Sequence, residues 1–231
     1  MEDEMPAEKP RAKTVGRPPH LSLDAIVAAA EHILETEGAE KLSMRRLADE
    51  LDSAPMALYY HVRNKDELLL LLMEAQARRI ERPELPEDPR ERLIAVSIML
   101  YELLADRLWI VQVVAGGDLI APSALWFVEE MIGAIVDCGH TLEDAVYVYR
   151  TIWFTIVGDL IIRANGNQRR GRATGPTYED QVVAGLVSGT HPRLAAVADR
   201  WAELNGRDTH REGLTAVIDG LLRSVETVKG R

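Results

Sequence analysis

The stretch MRRLADELDSAPMALYYHVRNKDELL, residues 44–69, decides the fold of this chain. Ser43 precedes it as a typical N-cap, and the apolar residues that follow recur at helical spacing. Residues 52–53 then favour a turn, and Pro55 stands at the start of the next helix, where a proline is tolerated. The stretch therefore predicts two short helices joined by a turn of three to four residues.

Two short helices in this order form a helix-turn-helix, whose second helix can enter a DNA major groove about 12 Å wide. Tyr59, Tyr60 and His61 lie at the end of that second helix. Burying all three would leave two hydroxyls and an imidazole in search of partners, so we expect some of them to face solvent. Tyr60 could instead pack on the core of its own module. His61 has no neighbour suited to a metal site or to catalysis.

The rest of the chain also predicts helices, and no convincing strand. The predicted helices cover residues 23–37, 44–51, 55–60, 64–80, 90–106, 109–115, 122–138, 141–163, 193–204 and 208–228. The segment RPELPEDP at 82–89 predicts a linker because it carries three prolines. Residues 164–192, with five glycines and two prolines, predict a long loop with one helical turn near 178–186.

Composition limits the function classes. The chain of 231 residues is 47% hydrophobic and 28% charged, which is typical of a soluble globular protein. Its formal net charge of −10 gives no support to binding of nucleic acid or anionic membrane, so such binding has to come from a local patch. The single cysteine, Cys138, excludes an internal disulfide and favours a reducing, cytoplasmic compartment. We expect no membrane association, because no stretch reaches the roughly 18 apolar residues of a membrane span.

Residues 1–20 predict a disordered arm, because they combine four prolines with many charges. Acids come first, and from Lys9 to Arg17 every charge is basic. This basic part is either an ordinary solvated tail or a contact to the minor groove or backbone of DNA.

Residues 44–69 resemble the DNA-binding signature of the TetR family of transcriptional repressors, and the resemblance extends over residues 22–80. The later segment CGHTLEDAVYVYRTIWFTIVGDLI, residues 138–161, is similar to the regulatory half of the tetracycline-repressor subclass. The resemblance implies an all-α protein with an N-terminal helix-turn-helix domain over residues 21–66. A linker helix would join it to a larger helical domain for effector binding and dimerisation over residues 67–231.

The resemblance also implies which residues contact DNA. Arg45 matches a position that reads a base edge, and a guanidinium can donate two hydrogen bonds to guanine O6 and N7. Three residues of the second helix match base-facing positions and offer apolar contact, for instance to thymine methyl groups. The remaining predicted residues bind phosphates or line the groove. Phosphate contacts position the domain on DNA without recognising the base sequence. The predicted DNA-binding residues are Arg45, Arg46, Pro55, Met56, Ala57, Tyr59, Tyr60, His61 and Lys65.

In the larger domain, seven aromatic residues fall between positions 109 and 154. The resemblance places an effector there, and we predict ligand contacts by Trp109, Trp126, Tyr147 and Trp153, although such residues can equally form solid core. Effector binding would shift the linker helix, so that the two helix-turn-helix domains of a dimer no longer fit adjacent major grooves. The resemblance also implies a homodimer that pairs through residues 141–163 and 208–228, and a four-helix interface would explain the apolar surplus of these segments.

Together these observations predict a ligand-responsive DNA-binding repressor, released from a palindromic operator by a small-molecule effector. Its expected partners are double-stranded DNA, the effector and a second copy of the chain, with no cofactor, metal or membrane. One alternative is a helical DNA-binding protein without an effector. Another is a helical enzyme with its pocket in the C-terminal half. We do not expect an enzyme, because that half shows no paired catalytic spacing, no phosphate-binding glycine loop and no metal motif.

Overall fold

The computed structural model describes residues 21–116, 119–172, 175–186 and 189–229, with side chains except in 167–172 and 224–229. Every regular element in these ranges is helical, as predicted. The helices are α1 (Leu23–Thr36), α2 (Met44–Glu50), α3 (Pro55–Leu58), α4 (Lys65–Arg78), α5 (Pro89–Ala105), α6 (Leu108–Gly116), α7 (Leu125–Asp137), α8 (Leu142–Arg172), α9 (Tyr178–Ala184), α10 (Pro192–Ala195), α11 (Trp201–Asn205) and α12 (His210–Lys229). The predicted arm of residues 1–20 lies outside the described residues.

Side-chain caps set the starts of the first helices. Ser22 Oγ accepts a hydrogen bond from the Ala25 amide, and Ser43 Oγ accepts one from the Arg46 amide, each at 3.1 Å. Asn64 Oδ1 caps α4 in the same way at 2.8 Å. Each cap satisfies an amide that has no partner inside its helix. The N-caps predicted at these three positions are therefore confirmed.

Two apolar cores organise the chain. The first joins α1 to α3 with Leu68, Leu69 and Leu72 of α4, and we call this unit the head. The second joins α5 to α8 and α12 with Met73 and Ala77, and we call α5 to α12 the regulatory half. Because α4 contributes to both cores, a shift of this helix changes the packing of the head and of the regulatory half. The division of domains at residue 66 stays a prediction.

The segment between the two long helices differs from the prediction. α8 continues to Arg172, so the part of the predicted loop that begins at residue 164 is helical. Its glycines did not end the helix, because a glycine in a helix interior costs only about 1 kcal/mol. The helix predicted over 193–204 is instead broken into α10, a 3₁₀ turn at Ala198–Arg200 and α11. These pieces pack on α9, where Trp201 Nε1 donates to Glu179 Oε1 at 3.1 Å.

α8 has the apolar surplus that the sequence analysis expected, although that analysis expected no stretch long and apolar enough for a membrane span. By length and composition alone, its Leu142–Gly166 part could cross a membrane. One face packs against α5, α6, α7 and α12, while Val146, Phe154 and Ile162 are exposed on the surface of the chain. The helix is therefore a core element with a second apolar face that the single chain leaves open.

Candidate nucleic-acid interface and effector cavities

The head holds α2 and α3 in fixed orientation through a closed core. Leu47, Leu58 and Val62 are fully buried. The turn between the helices passes through Asp52, which has a φ of 46°. Aspartate tolerates this left-handed conformation better than most residues because its short polar side chain can bond locally. With its inner side buried, α3 presents its other side to solvent.

Seven of the nine predicted contact residues are exposed, and five of these seven, between Pro55 and His61, belong to α3 or directly follow it. Met56 is 73% exposed and Tyr60 is 90% exposed, so Tyr60 does not pack on the core of the head. Tyr59 is also exposed, and Ala57 is half-buried. The remaining exposed members are Arg45, Pro55, His61 and Lys65. An exposed methionine and two exposed tyrosines on one short segment form an apolar and hydrogen-bonding surface that can contact base edges and phosphates.

The charge of this segment is locally positive. Residues 53–65 contain Arg63 and Lys65 and no acid, although the whole chain carries a net charge of −10. Arg63 is exposed. The sequence analysis did not single it out, although its position two residues before Lys65 was a usable signal. A small basic patch of this kind attracts phosphates where the bulk charge does not.

Arg46 has a different environment from Arg45. Its Nη2 lies 2.5 Å from Glu37 Oε1 and 2.7 Å from Glu50 Oε2. The hydrogen bond from Arg46 lowers the pKa of Glu37 below its ordinary value. With two carboxylate partners, this guanidinium joins the end of α1 to α2 rather than reaching outward. The sequence analysis missed both partners, although the spacing of Arg46 and Glu50 is that of an i,i+4 ion pair.

Polar contacts tie α4 to its surroundings on two sides. Arg107 Nε donates to Gln76 Oε1 at 2.9 Å, and Gln76 Nε2 donates to Glu31 Oε1 at 3.0 Å. This chain of bonds connects the start of α6 through α4 to α1. On another side, Glu74 accepts hydrogen bonds from the Ser123 amide at 3.0 Å and hydroxyl at 2.5 Å. These two bonds from Ser123 lower the pKa of Glu74.

One cavity, of about 280 Å³, lies in the regulatory half between α5, α8 and the start of α12. His210 stacks on Tyr101 with ring centroids 4.4 Å apart, and His210 Nδ1 lies 2.8 Å from Asp208 Oδ1. The hydrogen bond from His210 helps to lower the pKa of Asp208 to about 2. Burial and the bond that Tyr101 donates to Asp159 at 2.6 Å raise the pKa of Tyr101.

A larger cavity, of about 470 Å³, lies between the head and the regulatory half. We call it the junction cleft. The head contributes the end of α1 with Leu34 and Glu35, and the regulatory half contributes residues 105–109 and Gln112. Gln76 of α4 lies between them.

The predicted effector residues are distributed differently from the expectation. Trp109 borders the junction cleft, but Trp126, Tyr147 and Trp153 line neither cavity. Trp126 is buried and stacks on Phe127, with ring centroids 3.8 Å apart. Trp153 packs on the second core, and Tyr147 is 51% exposed on α8. The rings of Trp126 and Trp153 pack on the second core instead of lining these two cavities, and the ligand contacts predicted for the four aromatic residues stay a prediction. Among the described residues, no group of three or more metal-binding side chains is gathered in one place.

Comparison with known proteins assigns both parts of the chain. The family described as "Bacterial regulatory proteins, tetR family" matches residues 26–72, and "Tetracyclin repressor-like, C-terminal domain" matches residues 82–225. The HTH-type transcriptional repressor DrrR1 of Streptomyces coeruleorubidus is 32% identical, covering 91% of this chain and 81% of that protein. The class A tetracycline repressor from transposon 1721 of Escherichia coli is 27% identical over 88% of this chain and 91% of its own. The crystal structure of ActR from Streptomyces coelicolor in complex with actinorhodin superposes with a TM-score of 0.71 at 26% identity, covering 88% of this chain and 98% of that one.

Proposed function

Because the chain belongs to the TetR family of transcriptional regulators, it is a DNA-binding regulator, and we propose that it holds its operator through the outer side of α3. One observation carries this proposal. The exposed side chains of Met56 and Tyr60 stand on a closed core, in a segment that contains basic residues and no acid.

The residues divide by chemistry. Arg45 reads a base edge, because its exposed guanidinium can donate two hydrogen bonds to a guanine. Pro55, Met56 and Ala57 offer apolar contact to base edges. The phosphate contacts come from Tyr59, Tyr60, His61, Lys65 and Arg63. Arg46 acts inside the head, where its two carboxylate partners hold it.

Two copies act together as a homodimer. The exposed apolar face of α8, with Val146, Phe154 and Ile162, is expected to pack against another apolar surface. A second copy provides one through two-fold symmetry, with α8 and α12 of each protomer in a four-helix interface. The two heads then meet a palindromic operator with half-sites about one helical turn apart.

A small-molecule effector releases the operator. The ActR structure with actinorhodin supports a ligand-responsive mechanism in a protein of this architecture. Cavities of about 280 and 470 Å³ favour an effector over a ligand-free scaffold, because they approach the size of small-molecule sites. Effector binding shifts the position of α4, the helix that belongs to both cores. The protein acts in the cytoplasm, with no catalytic step.

The test is DNase footprinting of the purified protein on the DNA that flanks its own gene, with the molecular mass measured by sedimentation. We expect a protected palindrome, a dimer, and an affinity that falls steeply as salt rises, because phosphate contacts release counterions. A monomer at micromolar concentration that leaves no footprint would refute the proposal.

A further inference from the structure

The smaller cavity, of about 280 Å³, is lined by a histidine with an unpartnered ring nitrogen. In the part of the chain that the structure describes, His210 Nε2 is buried and has no hydrogen-bond partner. Glu102 Oε1 lies 3.7 Å from it, which is too far for a hydrogen bond. Most buried polar atoms in folded proteins are hydrogen-bonded. An unpartnered nitrogen beside a cavity therefore points to a partner from outside the chain.

The other ring nitrogen decides what kind of partner Nε2 can take. His210 Nδ1 lies 2.8 Å from Asp208 Oδ1, and the low pKa of Asp208, about 2, keeps that carboxylate ionised at neutral pH. An ionised carboxylate only accepts hydrogen bonds, so Nδ1 carries the proton and donates it. In the neutral imidazole, Nε2 then has a lone pair and no hydrogen. It is an acceptor that needs a donor.

Two neighbours hold this acceptor in one orientation. The ring of His210 stacks on Tyr101, with centroids 4.4 Å apart and planes 5° apart. The hydroxyl of Tyr101 donates to Asp159 at 2.6 Å, so it does not serve Nε2. Asp208 fixes the other edge of the imidazole through Nδ1. The direction of the Nε2 lone pair is therefore set before a ligand arrives, which lowers the cost of binding one.

The charges of the cavity favour a neutral ligand. Arg163 Nη1 lies 2.8 Å from Asp208 Oδ1, and Glu102 pairs with Arg211. Asp106 is exposed at the rim, where solvent screens its charge. An anion meets three lining carboxylates against one lining guanidinium, while a cation finds Glu102 and Asp208 already paired. The rest of the lining is apolar and consists of Ala105, Leu108, Leu160 and Ala164.

Glu102 controls access to the nitrogen. Its side chain is 46% exposed, and that of its partner Arg211 is 59% exposed. Exposed side chains change rotamer within nanoseconds, whereas His210 is held by its stacking and its bond to Asp208. Rotation of Glu102 uncovers Nε2 from the side of the cavity.

We propose that the smaller cavity is a binding site for a neutral phenolic ligand, whose hydroxyl donates a hydrogen bond to His210 Nε2. The aromatic ring packs on the apolar lining, and the volume suits a molecule of one or two rings. A phenol combines a strong neutral donor with a flat apolar body, which matches a single oriented acceptor next to apolar surface. The inference deepens the proposed function by naming a class of effector, and it rests on that function for the release of DNA.

Nitrogen NMR of the full-length protein labelled with ¹⁵N-histidine tests the acceptor in the wild type. The chain has six histidines, and the signal missing from His210→Phe identifies His210. At neutral pH we expect a neutral ring with the proton on Nδ1. Addition of para-cresol should move the Nε2 shift toward the protonated range, because the nitrogen then accepts a hydrogen bond. A doubly protonated ring, or an Nε2 shift that para-cresol leaves unchanged, would overturn the proposal.

Calorimetry with two probes separates the hydrogen bond from apolar packing. Para-methylanisole is the methyl ether of para-cresol and has no hydroxyl to donate. His210→Phe keeps a flat ring on Tyr101 but removes the acceptor. The ratio of cresol affinity to ether affinity should therefore fall about fivefold in this variant, the effect of one lost hydrogen bond. Circular dichroism checks its fold, and the nitrogen shift of the wild type decides the proposal if the variant does not fold.

His191→Phe is the matched control, because His191 is exposed and lines neither cavity. This variant should keep the affinity ratio of the wild type. An unchanged ratio in His210→Phe, an equal fall in His191→Phe, or no binding of para-cresol to the wild type would show that Nε2 takes no phenolic ligand.

The effect on DNA is measured separately, by fluorescence anisotropy of a labelled operator during titration with para-cresol. Release that His210→Phe weakens supports an effector role for this cavity. If para-cresol binds through His210 and the operator stays bound, the site stands and its effector role fails. If no operator is bound even without para-cresol, the proposed function fails, while NMR and calorimetry still decide the site.

Discussion

The head and the regulatory half are both helical and each has an apolar core, but the polar contacts of the regulatory half span longer stretches of sequence. In the head, the caps at Ser22, Ser43 and Asn64 connect residues three apart in sequence. In the regulatory half, Arg90 pairs with Asp219 across 129 residues. Tyr101 and Asp159 are likewise 58 residues apart, and Arg211 pairs with Glu102 across 109.

This difference matches the work that each half does. A head with local caps around a closed core keeps one shape, which suits a surface that has to fit a groove. A half held by long-range polar contacts around cavities can adopt a second arrangement at modest cost, which suits a sensor. Helix α4, which belongs to both cores, is where the two behaviours meet.

The largest expected effect tests the closed core of the head. Leu58 is fully buried, so Leu58→Ala should lower the free energy of unfolding by about 2–5 kcal/mol. Met56→Ala, two residues earlier and on the exposed side, should change it by less than about 0.5 kcal/mol while weakening operator binding. Urea unfolding followed by circular dichroism measures both. Similar losses of stability for the two variants would show that α3 is not held by its inner side alone.

The next effect distinguishes base recognition from phosphate binding within the head. Arg45→Ala should cost about 1–3 kcal/mol on the operator and relax preference at one base pair. Lys65→Ala should weaken specific and non-specific DNA alike and lower the salt slope by about one, because a phosphate contact releases counterions. Anisotropy titrations on operator and scrambled DNA at several salt concentrations distinguish them. Equal losses on both DNAs for Arg45→Ala would contradict its role as a reader.

A smaller effect tests the local caps. Ser43→Ala should destabilise the protein by about 1 kcal/mol, because the Arg46 amide loses its acceptor. Ser53→Ala is the control, since Ser53 lies in the turn of the same head and its hydroxyl makes only a weak 3.4 Å bond. Thermal unfolding should rank the two variants clearly. A larger loss for Ser53→Ala would mean that the turn, not the cap, holds α2.

The smallest effect concerns a charged contact of the regulatory half. Asp208 has a folded-state pKa of about 2 against an ordinary 3.8, owing first to the hydrogen bond from His210. A depressed pKa means that the charged form contributes stability above about pH 4, and that this contribution is lost as pH falls toward 2. It should stay below about 1 kcal/mol, because the Asp208 side chain is 64% exposed and screened by solvent.

Unfolding curves of Asp208→Asn between pH 2 and 5 measure this contribution. The variant should lose that part of the acid dependence, whereas Asp106→Asn, which removes a carboxylate without an ion pair, should keep it. Identical acid profiles for wild type and Asp208→Asn would indicate that the contacts of Asp208 do not stabilise the fold.

Features that depend on neighbouring residues could be predicted from the sequence, whereas contacts between distant residues could not. The helix starts after Ser22, Ser43 and Asn64 were predictable because cap and first turn are neighbours in the chain. The exposure of Tyr60 was only one of two options until the structure placed it at the surface. The pairing of Arg46 with Glu37 was missed because those residues lie nine apart and meet only when α1 folds against α2.

The sequence by itself determined that this protein is helical, where its first helices begin, and that residues 44–69 contain a helix-turn-helix typical of DNA binding. Periodicity, caps and turn residues act over a few positions and can be recognised without coordinates. Only the tertiary structure decided that Trp126 packs in the core, that α8 continues to Arg172, and that the larger of the two cavities opens between the two halves. Those outcomes depend on which distant side chains fill the same space, and local pattern carries no information about that.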